Sequence, residues 1–245
     1  MSSQPAFRLE RRPLEHRPRA AAVSRIEDVT PSYRRITLEG DFEGFDSPGA
    51  DDHLRIFLVP DDAVIEGEPA ERIERMREHP SREYTPVAWD AGSLTLDFVI
   101  YGTGPASDWA ANAVIGSRAL IGGPRGSLVL EGAPEWWLLV GDRTALPAIR
   151  RHLGAVRPGA PVDVLLVAED PADEQPLETR GVLTARWLRS QEELVAALGS
   201  VPVHEGDGFA FIAAEQSIVA PGRAFLTSRG VDLDRAVIKG YWKHA

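Results

Sequence analysis

The chain changes character once, near Gly132-Ala133-Pro134, and that change limits the possible fold more than any other feature. Before it, strand-forming stretches are short and divided by turn residues, at 19–29, 33–39, 53–59, 82–89, 94–101, 118–122 and 127–130. One short helix is expected after Pro105. This spacing predicts a small antiparallel barrel. After the change, apolar strand-like runs at 136–140, 162–167, 209–213 and 236–242 alternate with helical stretches at 145–153, 191–198 and 217–228. Strands buried on both faces and separated by helices predict a parallel sheet wrapped by helices. The expected architecture is therefore β followed by α/β, with domains at 17–132 and 133–245. The Arg-rich start, with Arg8, Arg11 and Arg12, has no periodicity and is expected to be a loose arm. Residues 68–79 read as a charged helical insertion, because Ile73 and Met76 sit three apart.

Composition narrows the chemistry. At 43% hydrophobic and 26% charged, the 245 residues are ordinary globular sequence with enough apolar content for a core. The absence of cysteine excludes disulfides, Cys nucleophiles and Cys-ligated clusters. Redox chemistry here has to use an organic cofactor or a metal held by N and O. A net charge of -10 argues against general affinity for nucleic acid or anionic membrane, while leaving room for a local basic pocket. No apolar run reaches the length of a bilayer span, and the N-terminus lacks the hydrophobic region of a secretory signal, so a soluble, cytoplasmic protein is expected. The histidines, at 16, 53, 79, 152, 204 and 244, form no pair at helix or hairpin spacing. They predict surface or half-buried side chains and no metal site. The nucleophile-elbow, H-E-x-x-H and Walker A patterns are all missing.

Four segments combine residues suited to ligand chemistry. In Arg82-Glu83-Tyr84-Thr85, Arg82 and Tyr84 share one face of a strand. A guanidinium fork suits phosphate, a flat phenol suits a planar heterocycle, and the Thr85 hydroxyl suits that ring's edge. A barrel strand with a surface Arg and a half-buried Tyr would use the same residues. The turn Tyr101-Gly102-Thr103-Gly104-Pro105-Ala106-Ser107 joins a strand to a helix N-terminus, where backbone N–H groups favour an anion; a simple capped turn is the other reading. Gly122-Gly123-Pro124-Arg125-Gly126-Ser127 is explained as a turn between strands. Gly141-Asp142-Arg143-Thr144 stands at the first strand-to-helix turn of the second domain, where nucleotides bind in doubly wound sheets.

Taken in order, these segments resemble the siderophore-interacting protein family, flavin-dependent ferric-siderophore reductases related to ferredoxin–NADP reductases. The resemblance is carried by Arg82, Tyr84 and Thr85, by Asp97-Phe98-Val99, and by Gly104-Pro105-Ala106-Ser107 with Trp109. It continues through Gly122-Gly123-Pro124, Gly141-Asp142 with Thr144-Ala145-Leu146-Pro147, and Gly240-Tyr241-Trp242. It implies an FAD-binding barrel, an NADH- or NADPH-binding α/β domain, and a flavin lying between them that passes electrons to a ferric siderophore. On this reading Arg82 binds FAD phosphate, Tyr84 stacks on the isoalloxazine, Thr85 bonds its edge, and Gly104, Ala106 and Ser107 hold the pyrophosphate. Asp142 and Thr144 fall in the nucleotide crevice. No protein side chain is implied as a catalytic group, because the cofactor supplies the chemistry. The sequence departs from the family at Tyr101, where His is usual and flavin contacts change. It departs also at Val87 and Ala88, where a further Arg is common, and at Arg143, where Glu is typical. Arg55, which alternates with Leu54 and Ile56, is expected with Lys239 and Lys243 to line a basic cleft for the siderophore. Glu169 and Asp170, after the second strand of the α/β domain, predict a preference for NADH. The same scaffold also suits a flavin reductase with another acceptor, or a siderophore carrier without turnover. A monomer or weak dimer is expected.

Overall fold

The computed structural model describes residues 5–60, 74, 76–102 and 104–243. The chain divides into two compact units, Arg11–Leu128 and Met1–Glu10 with Val129–Ala245. The start of the chain is not a loose arm. Its strand β1 (Phe7–Pro13) pairs with β9 (Gly126–Gly132), and Phe7 is buried against Phe209 with ring centroids 6.0 Å apart. One apolar side chain among arginines anchors the segment, which a search for periodicity does not detect.

The first unit is a seven-stranded antiparallel sheet ordered β5-β4-β8-β2-β3-β7-β6. Its strands are β2 (Arg19–Thr30), β3 (Tyr33–Gly40), β4 (Leu54–Phe57), β5 (Ser81–Tyr84), β6 (Pro86–Trp89), β7 (Ser93–Val99) and β8 (Arg118–Gly122). The stretch expected as one strand at 82–89 is two. β5 and β6 occupy opposite edges of the sheet, yet only Thr85 separates them in sequence. The sheet must therefore curl until its edges meet at Thr85, which makes this residue the barrel seam. Pro86 opens β6 on that edge, where its missing N–H costs no ladder bond. Inside, Ile36, Leu38, Leu54, Ile56, Leu94, Leu96 and Phe98 form the core. Outside, Asp97 is buried by Arg35, its register partner, through two hydrogen bonds of 2.7 and 2.9 Å. Helix α1 (Pro105–Asn112) packs on the barrel through Ala106 and Ala110. Most of the helical insertion expected at 68–79, Ile73 included, lies outside the described residues; Glu74, Met76 and Arg77 are helical, and Met76 is buried beside Val59 and Leu120.

The second unit holds a parallel sheet ordered β12-β11-β10-β13-β14. These strands are β10 (Trp136–Asp142), β11 (Pro161–Val167), β12 (Val182–Leu188), β13 (Gly208–Glu215) and β14 (Ala236–Trp242). Helices α2 (Leu146–Ala155), α3 (Gln191–Leu198) and α4 (Val219–Ser228) connect them. The strand β12 escaped the sequence reading because it is an edge strand, exposed along most of its length, with no continuous apolar run. The order reverses between β10 and β13, so their carboxyl ends open a crevice. His152 of α2 departs from the expected half-buried state. It is buried among Trp137, Phe209 and Phe211 with ring centroids 4.9–6.0 Å away. Its Nε2 has no hydrogen-bond partner, and burial, reinforced by Arg151 and Lys239, lowers its pKa to about 3.

Candidate functional site

The barrel seam carries the first group of candidate residues. Across the β4–β5 ladder Leu54 opposes Tyr84 and Ile56 opposes Arg82. Directly opposed residues share a face, so Arg82 and Tyr84 both lie on the face of the two core residues. The Tyr84 ring sits 4.4 Å from that of Phe98, which in turn lies 5.6 Å from Trp109 of α1. Burial, assisted by Tyr101 and opposed by Arg82, pushes the Tyr84 phenol pKa up, so the hydroxyl stays protonated. Arg82 itself is exposed, with Nη1 donating to the Ser81 carbonyl at 2.8 Å. Thr85 is buried at the seam.

Helix α1 starts beside this group. Gly104 is its N-cap at φ 94°, a backbone position that favours glycine, and no side chain caps the helix. Pro105 has no N–H, so Ala106 and Ser107 supply the first amides of the helix without a side-chain acceptor. The Ser107 hydroxyl is buried and accepts the Tyr101 N–H at 3.0 Å. It ties the glycine turn to the helix and is not the helix cap. The Tyr101 side chain is exposed, and Thr103 lies outside the described residues. At the other end of α1, Arg34 Nη1 donates to the carbonyls of Ala110 and Ala111 at 3.0 and 2.9 Å, fixing the helix to β3.

The opposite face of the β4–β5 ribbon carries Arg55 and Glu83, which are register partners. They open onto a cavity of about 400 Å³ that His16, His53, Arg77 and Arg125 also line. Gly122, opposite Arg55 on β8, leaves the floor bare; a Cβ there would stand 3.2 Å from the Phe57 ring. Three guanidinium groups thus converge with one carboxylate. The His16 pKa is lowered by burial first and then by the Arg125 charge, with Arg19 and Arg77 adding to it, which marks the cavity as electropositive. Arg55 was legible from strand alternation. Arg125 was not, because its turn explains itself by Gly and Pro, and neither Arg77 nor His16 carries any motif. Lys239 lies in β14 and Lys243 just after it, in the second unit.

In the second unit the carboxyl ends of β10 and β13 bear Asp142 and Glu215, both buried. Asp142 Oδ1 accepts from Thr144 N and Oγ1 at 2.8 and 2.5 Å, and Oδ2 accepts from Trp242 Nε1 at 2.8 Å. Burial pushes its pKa up against these bonds. Gly141 is required here: a Cβ would lie 2.7 Å from both Ala145 Cβ and the Ala213 carbonyl, where the helix turn meets the sheet. Arg143 pairs with buried Asp173 at 2.6 Å, joining the first turn to the acidic loop after β11. In that loop Asp170 accepts the Ala172 N–H at 2.8 Å, and Glu169 is exposed.

Comparison with known proteins covers both units. Residues 22–128 match the model of the siderophore-interacting FAD-binding domain, and residues 134–245 match that of the siderophore-interacting protein. The NADPH-dependent ferric-chelate reductase of Escherichia coli (strain K12) is 32% identical over 237 residues, covering 91% of this chain and 92% of the relative. A siderophore utilization protein from T. fusca has a TM-score of 0.86 at 27% identity, with 97% of each chain covered. The siderophore-interacting protein SipS from Aeromonas hydrophila has a TM-score of 0.75 at 30% identity, covering 94% of this chain and 93% of that one. Because the matches run through both units in the same order and leave little of either chain uncovered, this chain belongs to the siderophore-interacting protein family.

Proposed function

We propose that the protein is an FAD-dependent ferric-chelate reductase that uses NADH or NADPH to release iron from a siderophore. The observation that carries this reading is the two-faced β4–β5 ribbon. Arg82 and Tyr84 stand on one face and a basic cavity on the other, so cofactor and acceptor residues share two short strands.

The donors on the first face fit FAD. The uncapped amides of Ala106 and Ser107, with the exposed fork of Arg82, suit a pyrophosphate. The Tyr84 ring, backed by Phe98, suits an isoalloxazine, and the Thr85 hydroxyl suits its polar edge. Bound FAD supplies the conversion of a two-electron hydride into single electrons. The chain holds its own side of the chemistry in place: Arg34 and Ser107 fix the helix, and the high phenol pKa keeps Tyr84 neutral. Gly141 and Asp142 shape the crevice for the nicotinamide nucleotide. The ferric chelate, a substrate, meets Arg55, Arg77 and Arg125. Reduction to Fe(II) weakens a chelator made of hard oxygen donors, and the metal leaves. The cytoplasm, which supplies the nicotinamide, is the site of action in this reading.

The test is anaerobic. Holoprotein reduced by NADH or NADPH is mixed with a ferric siderophore while flavin absorbance and trapped Fe(II) are followed together. Reoxidation of the flavin with stoichiometric Fe(II) supports the reading. Flavin that stays reduced in the presence of ferric chelates overturns it.

A further inference from the structure

Within the basic cavity Glu83 stands apart. Among the described lining residues it is the one carboxylate, set against Arg55, Arg77 and Arg125. Its Oε1 accepts from Arg55 Nη2 at 2.5 Å, and its Oε2 lies 3.8 Å from His53 Nε2. The contact is built into the fold, because Arg55 and Glu83 are directly opposed across the β4–β5 ladder and their Cβ atoms cannot separate. Both side chains are about half exposed, at 49% and 50%. A ligand can therefore reach the pair. Neither Arg77 nor Arg125 is matched with an acid in this way among the described residues.

We infer that Glu83 is a specificity-determining residue: a fixed counter-anion that competes with the substrate for Arg55 and biases the cavity toward ferric chelates of low negative charge. The inference rests on the reading of this cavity as the chelate site. Siderophore chemistry provides the contrast. The tris(catecholate) complex of Fe(III) is a trianion, whereas the tris(hydroxamate) complex is neutral. The trianion is drawn to Arg77 and Arg125, but to engage Arg55 it has to displace or approach Glu83. Like charges held at that spacing disfavour it. A neutral complex meets no such repulsion and takes hydrogen bonds from the guanidinium groups. Since the pair is half exposed, solvent screens the effect, and removing the charge is expected to change affinity about three- to fivefold.

The experiment titrates oxidised holoprotein, without nicotinamide, with a ferric tris(catecholate) trianion and with a neutral ferric tris(hydroxamate) at several salt concentrations. In Glu83→Gln the ratio of the trianion's Kd to the neutral complex's Kd is expected to fall about three- to fivefold, with a steeper salt dependence for the trianion. Glu83→Lys is expected to move the ratio further in the same direction. A ratio unchanged in both variants, while Arg125→Ala still weakens the trianion, overturns the role of Glu83 and leaves the cavity reading standing. Loss of no binding in Arg125→Ala and Arg55→Ala overturns the cavity reading itself.

Discussion

The two units treat their polar residues in opposite ways. In the barrel, the groups at the seam are left with spare bonding capacity: the Arg82 fork is exposed, helix α1 has no side-chain cap, and the Tyr101 ring is open. In the parallel sheet, the carboxylates at the strand ends are already committed. Asp142 accepts three hydrogen bonds from Thr144 and Trp242, and Glu215 accepts the Ser217 N–H at 2.6 Å. The difference follows from where each group sits. A buried carboxylate without partners costs several kcal/mol, so the crevice had to satisfy its acids internally. An exposed guanidinium is solvated and can wait for a ligand at little cost. Loss of a free group should therefore reduce binding, and loss of a committed one should reduce folding.

The largest effect is expected at Asp142. Asp142→Ala leaves the Trp242 indole N–H and the Thr144 N–H without their acceptor and opens a small void. About 3 kcal/mol of stability should be lost from the second unit, read from urea unfolding. A variant as stable as the parent would break the contrast at its firmest point. Arg82→Ala is the counterpart in the barrel. It should unfold like the parent yet bind FAD about tenfold to a hundredfold more weakly, the value of a charge-assisted phosphate contact of about 1.5–3 kcal/mol. Measured flavin occupancy equal to the parent's would remove Arg82 from the site.

His152 sharpens the comparison because it is buried and unpaired. The folded imidazole, with a pKa of about 3, stays neutral where the unfolded chain protonates near 6.5. The unfolded state thus binds more protons, and stability falls as pH drops from about 6.5 toward 3. The slope is at most about 1.4 kcal/mol per pH unit. Asp142 has a raised pKa and works with the opposite sign, adding stability at low pH that is lost as its carboxyl ionises. Chemical denaturation from pH 7 to 5 should therefore be compared with His152→Leu, in which most of the acid loss should vanish. An equal acid loss in the variant would assign it elsewhere. The smallest effect concerns the nicotinamide. Glu169 is free in the acidic loop, whereas Asp170 is committed to Ala172. Glu169→Gln should reduce any NADH preference by a few-fold, about 1 kcal/mol or less; a KM ratio for NADH over NADPH that does not move would exclude this side chain.

Much of this is legible in the sequence. The switch of periodicity near Gly132 separates two kinds of sheet because alternating and doubly buried strands need different apolar patterns. Arg82 and Tyr84 share a face because every second residue of a strand does, and the glycine turn before α1 announces itself through Gly104 and Pro105. Local spacing determines these features, so a single stretch of sequence contains them. Other features needed residues distant in sequence to meet. Phe7 anchors β1 only because Phe209 is there to receive it. Thr85 becomes a seam only because the two edge strands of a seven-stranded sheet, β5 and β6, are consecutive in sequence. Arg55, Arg77 and Arg125 form one basic cavity, with Glu83 inside it, through pairings that no periodicity encodes. Asp142 stands at the end of β10, and Trp242, a hundred residues on, donates to one of its oxygens. Sequence alone set the order and type of most elements, since backbone preference and apolar spacing are local; β1 and the exposed edge strand β12 lack that signal. Tertiary structure decided which polar groups were left for a ligand, since hydrogen bonding and burial depend on neighbours brought together by folding.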